Sequence, residues 1–187
     1  TFRDELKPAR ARSREAEEFG RLMSQYEIAL NTAVWEKDLN GPEGEDLINS
    51  AHSVVQMRGL KKRQGPDEDT KSIDESIKGN AKKIADWFTR TFPGTYGLLS
   101  SYMPRDTAEG GKASLDEAIG TTLSHRISLR KLGAAYREDL DRTNLEEMGK
   151  CLLDASPTFK DLAGSVGKSD SVLEEADRIK IASETEE

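Results

Sequence analysis

Apolar residues in this chain recur at helical spacing in one segment after another. Ala16, Phe19, Met23, Tyr26, Leu30 and Ala33 follow each other at steps of three and four. That is a heptad seam, and it predicts a long helix over about 12–38. The seam lasts under three heptads, which suits a helix packed in its own bundle better than a free coiled coil. Asn40-Gly41-Pro42 then stops it, because Asn or Gly accepts a left-handed cap and Pro blocks continuation.

Further faces follow. Leu47, Ile48, Ala51, Val54 and Val55 predict a helix from about Glu45 to Met57. Residues 61–69 contain no apolar side chain and flip from basic to acidic, so they read as a loop and 60–70 as a sub-boundary. Ile73, Ile77, Ile84, Trp87 and Phe88 mark a third helix over 72–91, and Phe92-Pro93-Gly94 breaks it. A short apolar piece with Tyr96, Leu98, Leu99, Tyr102 and Met103 comes next. Ser114-Leu115-Asp116-Glu117 has the form of a capping box, predicting a second long helix over about 115–141. Asn144 with Glu147, Ser156-Pro157, and Ser171 with Glu174 suggest three short helices to the end. No run of β-branched residues alternates over more than four positions. The expectation is therefore all-α: a single helical domain over 1–187, a bundle of about six to eight helices with two long ones.

Composition fits this pattern. Charged residues make up 34% of the 187 and the hydrophobic share is 35%, the ratio produced by narrow apolar stripes on wide polar faces. The formal net charge is -7. The acidity is concentrated after residue 113 and in the tail 183–187, so a strongly basic nucleic-acid-binding domain is excluded. A single cysteine, Cys151, excludes an intramolecular disulfide and points to a reducing, intracellular compartment. No apolar run approaches a membrane span.

Candidate chemistry is sparse. Gly164-Ser165-Val166-Gly167-Lys168-Ser169 superficially resembles a phosphate loop, but Leu162 stands where the first glycine is needed and no strand precedes it. His52 and His125 have no Cys or His at ligand spacing. His125 falls on an apolar seam, as a half-buried histidine would, with a pH switch as the sharper reading. Cys151, beside Leu152 and Leu153, reads as a buried inert thiol. Adjacent carboxylates such as Glu146-Glu147 diverge by about 100° on a helix and share no proton. Asp74 with Lys78 fits an intrahelical ion pair. Neither a cofactor nor a metal is expected, nor a catalytic residue.

Two features stand out. Arg58, Lys61, Lys62 and Arg63 put four cations at a helix end. They suit the helix dipole, or else a phosphate or other anion. Arg3, Arg10, Arg12 and Arg14 form a looser basic stretch. Trp87, Phe88, Phe92, Tyr96 and Tyr102 crowd aromatics into one corner, as a core cluster or as a partner interface. The leading expectation is a non-catalytic subunit or adaptor, with a protein partner or homo-oligomer. An RNA-associated protein of nucleoprotein or capsid type, using segment 58–63, is the alternative. A helical module on an anionic membrane surface is the third reading.

Overall fold

The computed structural model describes residues 2–35, 37, 39, 41–65, 68–104, 108–132 and 147–162, with side chains from residue 14 onward and not for 108–113, 129, 131 or 132. It is all-α: among the described residues there is no strand. The elements are α1 (Phe2–Trp35), α2 (Pro42–Arg63), α3 (Lys71–Thr91), α4 (Pro93–Ser101) and α5 (Ala108–Leu132). A helix over residues 147–155, here α6, a 3-10 turn at Pro157–Phe159 and helical residues 160–162 follow.

The heptad seam of α1 faces the core: Ala16, Phe19, Met23, Tyr26, Leu30 and Ala33 are all buried. Leu22, Ala29 and Val34 are buried beside it. α1 begins ten residues before the predicted start, and it ends at Trp35. Gly41, at φ 97°, takes a conformation that only glycine adopts readily. It starts α2, with Pro42 in the first turn, and so acts at the next helix rather than as the cap of α1.

α2 is longer than predicted. Its last turn is Lys61, Lys62 and Arg63, so the predicted loop over 61–69 begins only after Arg63. A polar run without Gly or Pro can extend a helix whose buried face anchors it further back. The Gln64 amide bonds to the carbonyls of Leu60 and Lys61 and closes the helix end. Similarly, α5 starts at Ala108. Ser114 is therefore an exposed interior residue of α5 and not its cap. The predicted extension of α5 over 133–141, the Asn144 and Ser171 caps, the segment 164–169 and the acidic tail lie outside the described residues.

α2, α3 and α5 pack against one another, and α1 lies on α5, α4 and the 3-10 turn. α5 is buried nearly all round between Leu115 and Ser128. Two of its buried polar side chains back-bond to the helix: Thr122 Oγ1 donates to the Ala118 carbonyl at 2.6 Å and Ser124 Oγ to Gly120 at 2.5 Å. Gly120 lets the α5 backbone run against Ala81 of α3. Aromatic edges tie the layers together. Tyr26 meets Phe88 at 6.1 Å, Phe19 meets Phe159 at 5.4 Å, and Tyr102 stacks on Phe159 at 5.1 Å.

Candidate functional surfaces

The aromatic corner is part of the core rather than an open face. Phe88 is fully buried and Trp87 is 8% exposed. Both fit because α3 is covered on a broad side, so adjacent positions 100° apart are each enclosed. Phe92 is half-buried, with its ring 5.1 Å from Phe88 and 6.4 Å from Trp87. The two tyrosines are half-buried and their hydroxyls are spoken for. Tyr96 donates to Asp116 at 3.2 Å, and Tyr102 donates to Glu18 at 2.6 Å. Burial, then the charge on Asp116, pushes the Tyr96 phenol up to about 12. Burial and Glu18 raise Tyr102, and Arg21 opposes them through its charge and a side-chain hydrogen bond. Of the five rings that the sequence offered as a core cluster or a partner interface, two are buried and three half-buried.

The basic end of α2 is drawn into a groove of about 600 Å³ between α2, α3, α5 and α6. Arg58, Lys61 and Lys62 line it with Lys78, opposite Asp74, Glu117 and Glu147. Arg58 pairs with Glu147 across 89 positions in sequence. Lys61 Nζ lies 2.6 Å from Asp74, and this bond is the main reason the Asp74 carboxyl is held below its usual range. Asp74 thus accepts from Lys61 of α2 and, at 3.2 Å, from Thr70 Oγ1 at the start of α3, while Lys78 on its own helix acts through its charge. Arg63 donates to the Gly59 carbonyl at 3.2 Å, a helix-end contact of the kind the dipole favours. The chain's own carboxylates occupy much of the charge that the sequence offered to a phosphate.

His125 lies one turn along α5 from Thr121, which lines this groove, and is 7% exposed. Its Nδ1 bonds to the Thr121 carbonyl at 2.8 Å, as a proton donor to that oxygen. Burial lowers its pKa from 6.5, Arg58 and Lys62 add to the lowering, and Thr121 and Glu147 oppose it. Cys151 is half-buried, and burial pushes its thiol up to about 11. A thiol that reluctant to ionise is a poor nucleophile. Among the described residues no three His, Cys, Asp or Glu side chains converge as metal ligands would. No helix among them is long and apolar enough to cross a membrane.

The most exposed apolar side chains lie elsewhere, ahead of Leu60 at 38% on the basic end of α2. Ile28 is 65% exposed and Trp35 61%. They stand seven residues apart on the outer side of α1, opposite the buried seam. α5 approaches this surface from one flank. Arg126 reaches Asn31 at 2.6 Å and Glu27 at 3.7 Å, and Arg130 sits over the Trp35 ring at 5.1 Å. Sequence reasoning passed over this pair because each lies in an apolar run with residues of the buried face, Ile28 beside Ala29 and Leu30 and Trp35 beside Ala33 and Val34. The available signal was their heptad spacing.

Compared with family models, with curated proteins and with solved structures, the chain finds no match in any of the three.

Proposed function

We propose that this protein is a non-catalytic helical interaction or assembly protein whose working surface is the outer face of α1. The observation that carries the reading is the exposure of Ile28 and Trp35 on a helix whose other side is already anchored in the core. A large aromatic at a surface is an efficient anchor for a partner, since it covers much area and loses little rotamer freedom. Arg130 over one face of Trp35 restricts the ring further.

The RNA-associated and membrane-surface readings of segment 58–63 draw less support. Arg58 and Lys61 are paired with Glu147 and Asp74, and a phosphate would have to displace those carboxylates.

The test is a comparative capture from the protein's own cells, with the wild type and an Ile28→Glu/Trp35→Glu variant as baits. The reading expects at least one protein retained by the wild type and lost by the variant. Equal retention by the two baits contradicts it.

A further inference from the structure

The outer side of α1 is a second heptad seam. Arg14, Glu17, Arg21, Ser24, Ile28, Asn31 and Trp35 follow at steps of 3, 4, 3, 4, 3 and 4, and all seven are exposed. The same spacing continued toward the start of α1 reaches positions 10, 7 and 3, which are Arg, Lys and Arg. The charged members Arg14, Glu17 and Arg21 alternate in sign. That alternation constrains what can lie against the stripe.

Laid parallel on a second copy, the stripe would oppose each residue to itself: Arg14 to Arg14, Glu17 to Glu17 and Arg21 to Arg21. Like charges meet in three successive layers, which is disfavoured. Antiparallel registers differ among themselves. With the two-fold axis between residues 15 and 16, Arg21 meets the partner's Arg10. With the axis between 22 and 23, the Glu17 carboxylate is set against the partner's Ile28.

With the axis level with Phe19, no layer conflicts. Glu17 faces the partner's Arg21 on both sides of the axis, and Arg14 faces the partner's Ser24. Ile28 and Trp35 come level with positions 10 and 3 of the partner. Both of these positions are arginine in the sequence, so no acidic residue is set against the partner's apolar pair. A two-fold contact needs this reciprocity, with residue i on j and j on i.

Resting on the reading of α1 as a working surface, we infer that its occupant is a second copy of this chain, with the two α1 helices antiparallel. Exposed ion pairs are individually weak, so they set orientation and partner choice more than strength.

The experiment is sedimentation velocity of the full chain over rising concentration, up to about 100 µM, where even a weak interface is populated. The wild type should show a monomer–dimer equilibrium. Arg21→Glu should weaken it by about tenfold, because carboxylates then oppose each other in two layers. Glu17→Arg should weaken it similarly, with cations opposed instead. Mixed in equal amounts, these two variants should recombine into a heterodimer, which also demonstrates that both are folded. Ser24→Glu should tighten the dimer, since it offers a carboxylate to the partner's Arg14 on both sides of the axis. A wild type that stays monomeric, a dimer indifferent to the charge changes, or a mixture that does not recombine overturns the second copy. The broader reading has its own test: a different protein retained by the wild-type bait and lost by Ile28→Glu/Trp35→Glu would stand even then.

Discussion

Gly120 of α5 meets the backbone carbonyl of Ala81 of α3 with no room between them for a side chain. A methyl group at Gly120 would overlap backbone atoms, which cannot rotate away as a flexible side chain can. Gly120→Ala should therefore push α3 and α5 apart and destabilise the fold by about 2 kcal/mol, the usual scale of overpacking, despite the better helix propensity of Ala. Gly79, in the exposed middle of α3, has nothing near it. Gly79→Ala should stabilise by about 0.5–1 kcal/mol. Urea unfolding of the two variants checks the pair, and equal effects would contradict this packing.

His125 makes stability depend on pH. Its folded-state pKa is lowered below 6.5 by burial, with Arg58 and Lys62 adding to the effect. The unfolded chain therefore takes up the proton first. The contribution of neutral His125 is present in full above pH 6.5 and is lost as pH falls from there through the lowered folded value. Urea midpoints should drop over that range, and His125→Gln should flatten the drop. A slope unchanged in the variant would assign it to other groups.

Arg58 and Glu147 join α2 to α6, with side chains only 25% and 26% exposed. A double-mutant cycle of Arg58→Ala and Glu147→Ala should give a coupling of about 1 kcal/mol, weakening with salt. Arg90–Glu43, at 70% and 68% exposed, should couple by close to zero on the same measurement. Equal couplings would mean that burial does not strengthen the first pair.

Cys151 should react slowly. With its thiol pushed up to about 11 and half-buried, little thiolate exists at neutral pH. Labelling by a disulfide reagent should lag well behind that of a free thiol and accelerate on unfolding. Prompt stoichiometric labelling of the folded protein would contradict this environment.

How much of this was legible in the sequence differs from helix to helix. The inner seam of α1 and the buried face of α3 were readable because apolar side chains there repeat at the helical period. The end of α2 was not, since Lys61, Lys62 and Arg63 carry no apolar signal and helix continuation there depends on what Leu47, Ala51 and Val54 bury. Ser114 had the sequence of a cap, but nothing local reveals that the preceding turn is also helical. The aromatic corner was legible as a cluster, but not the direction its rings face, because direction depends on which neighbours cover α3. Ile28 and Trp35 were overlooked for a similar reason. Each adjoins residues of the buried face in the sequence, and it becomes a surface feature only when the rest of its helix is seen to face inward.

That outer face of α1 carries the functional account, and site-specific photo-crosslinking in the protein's own cells tests it most directly. A benzophenone side chain placed at Ile28 should form a protein adduct, and one placed at exposed Lys83 on α3 should not. Mapping of the Ile28 adduct to α1 of another copy would identify that occupant, and mapping to a different protein would identify that one instead. No adduct from Ile28, or equal adducts from Ile28 and Lys83, would contradict the assignment of this face as the working surface.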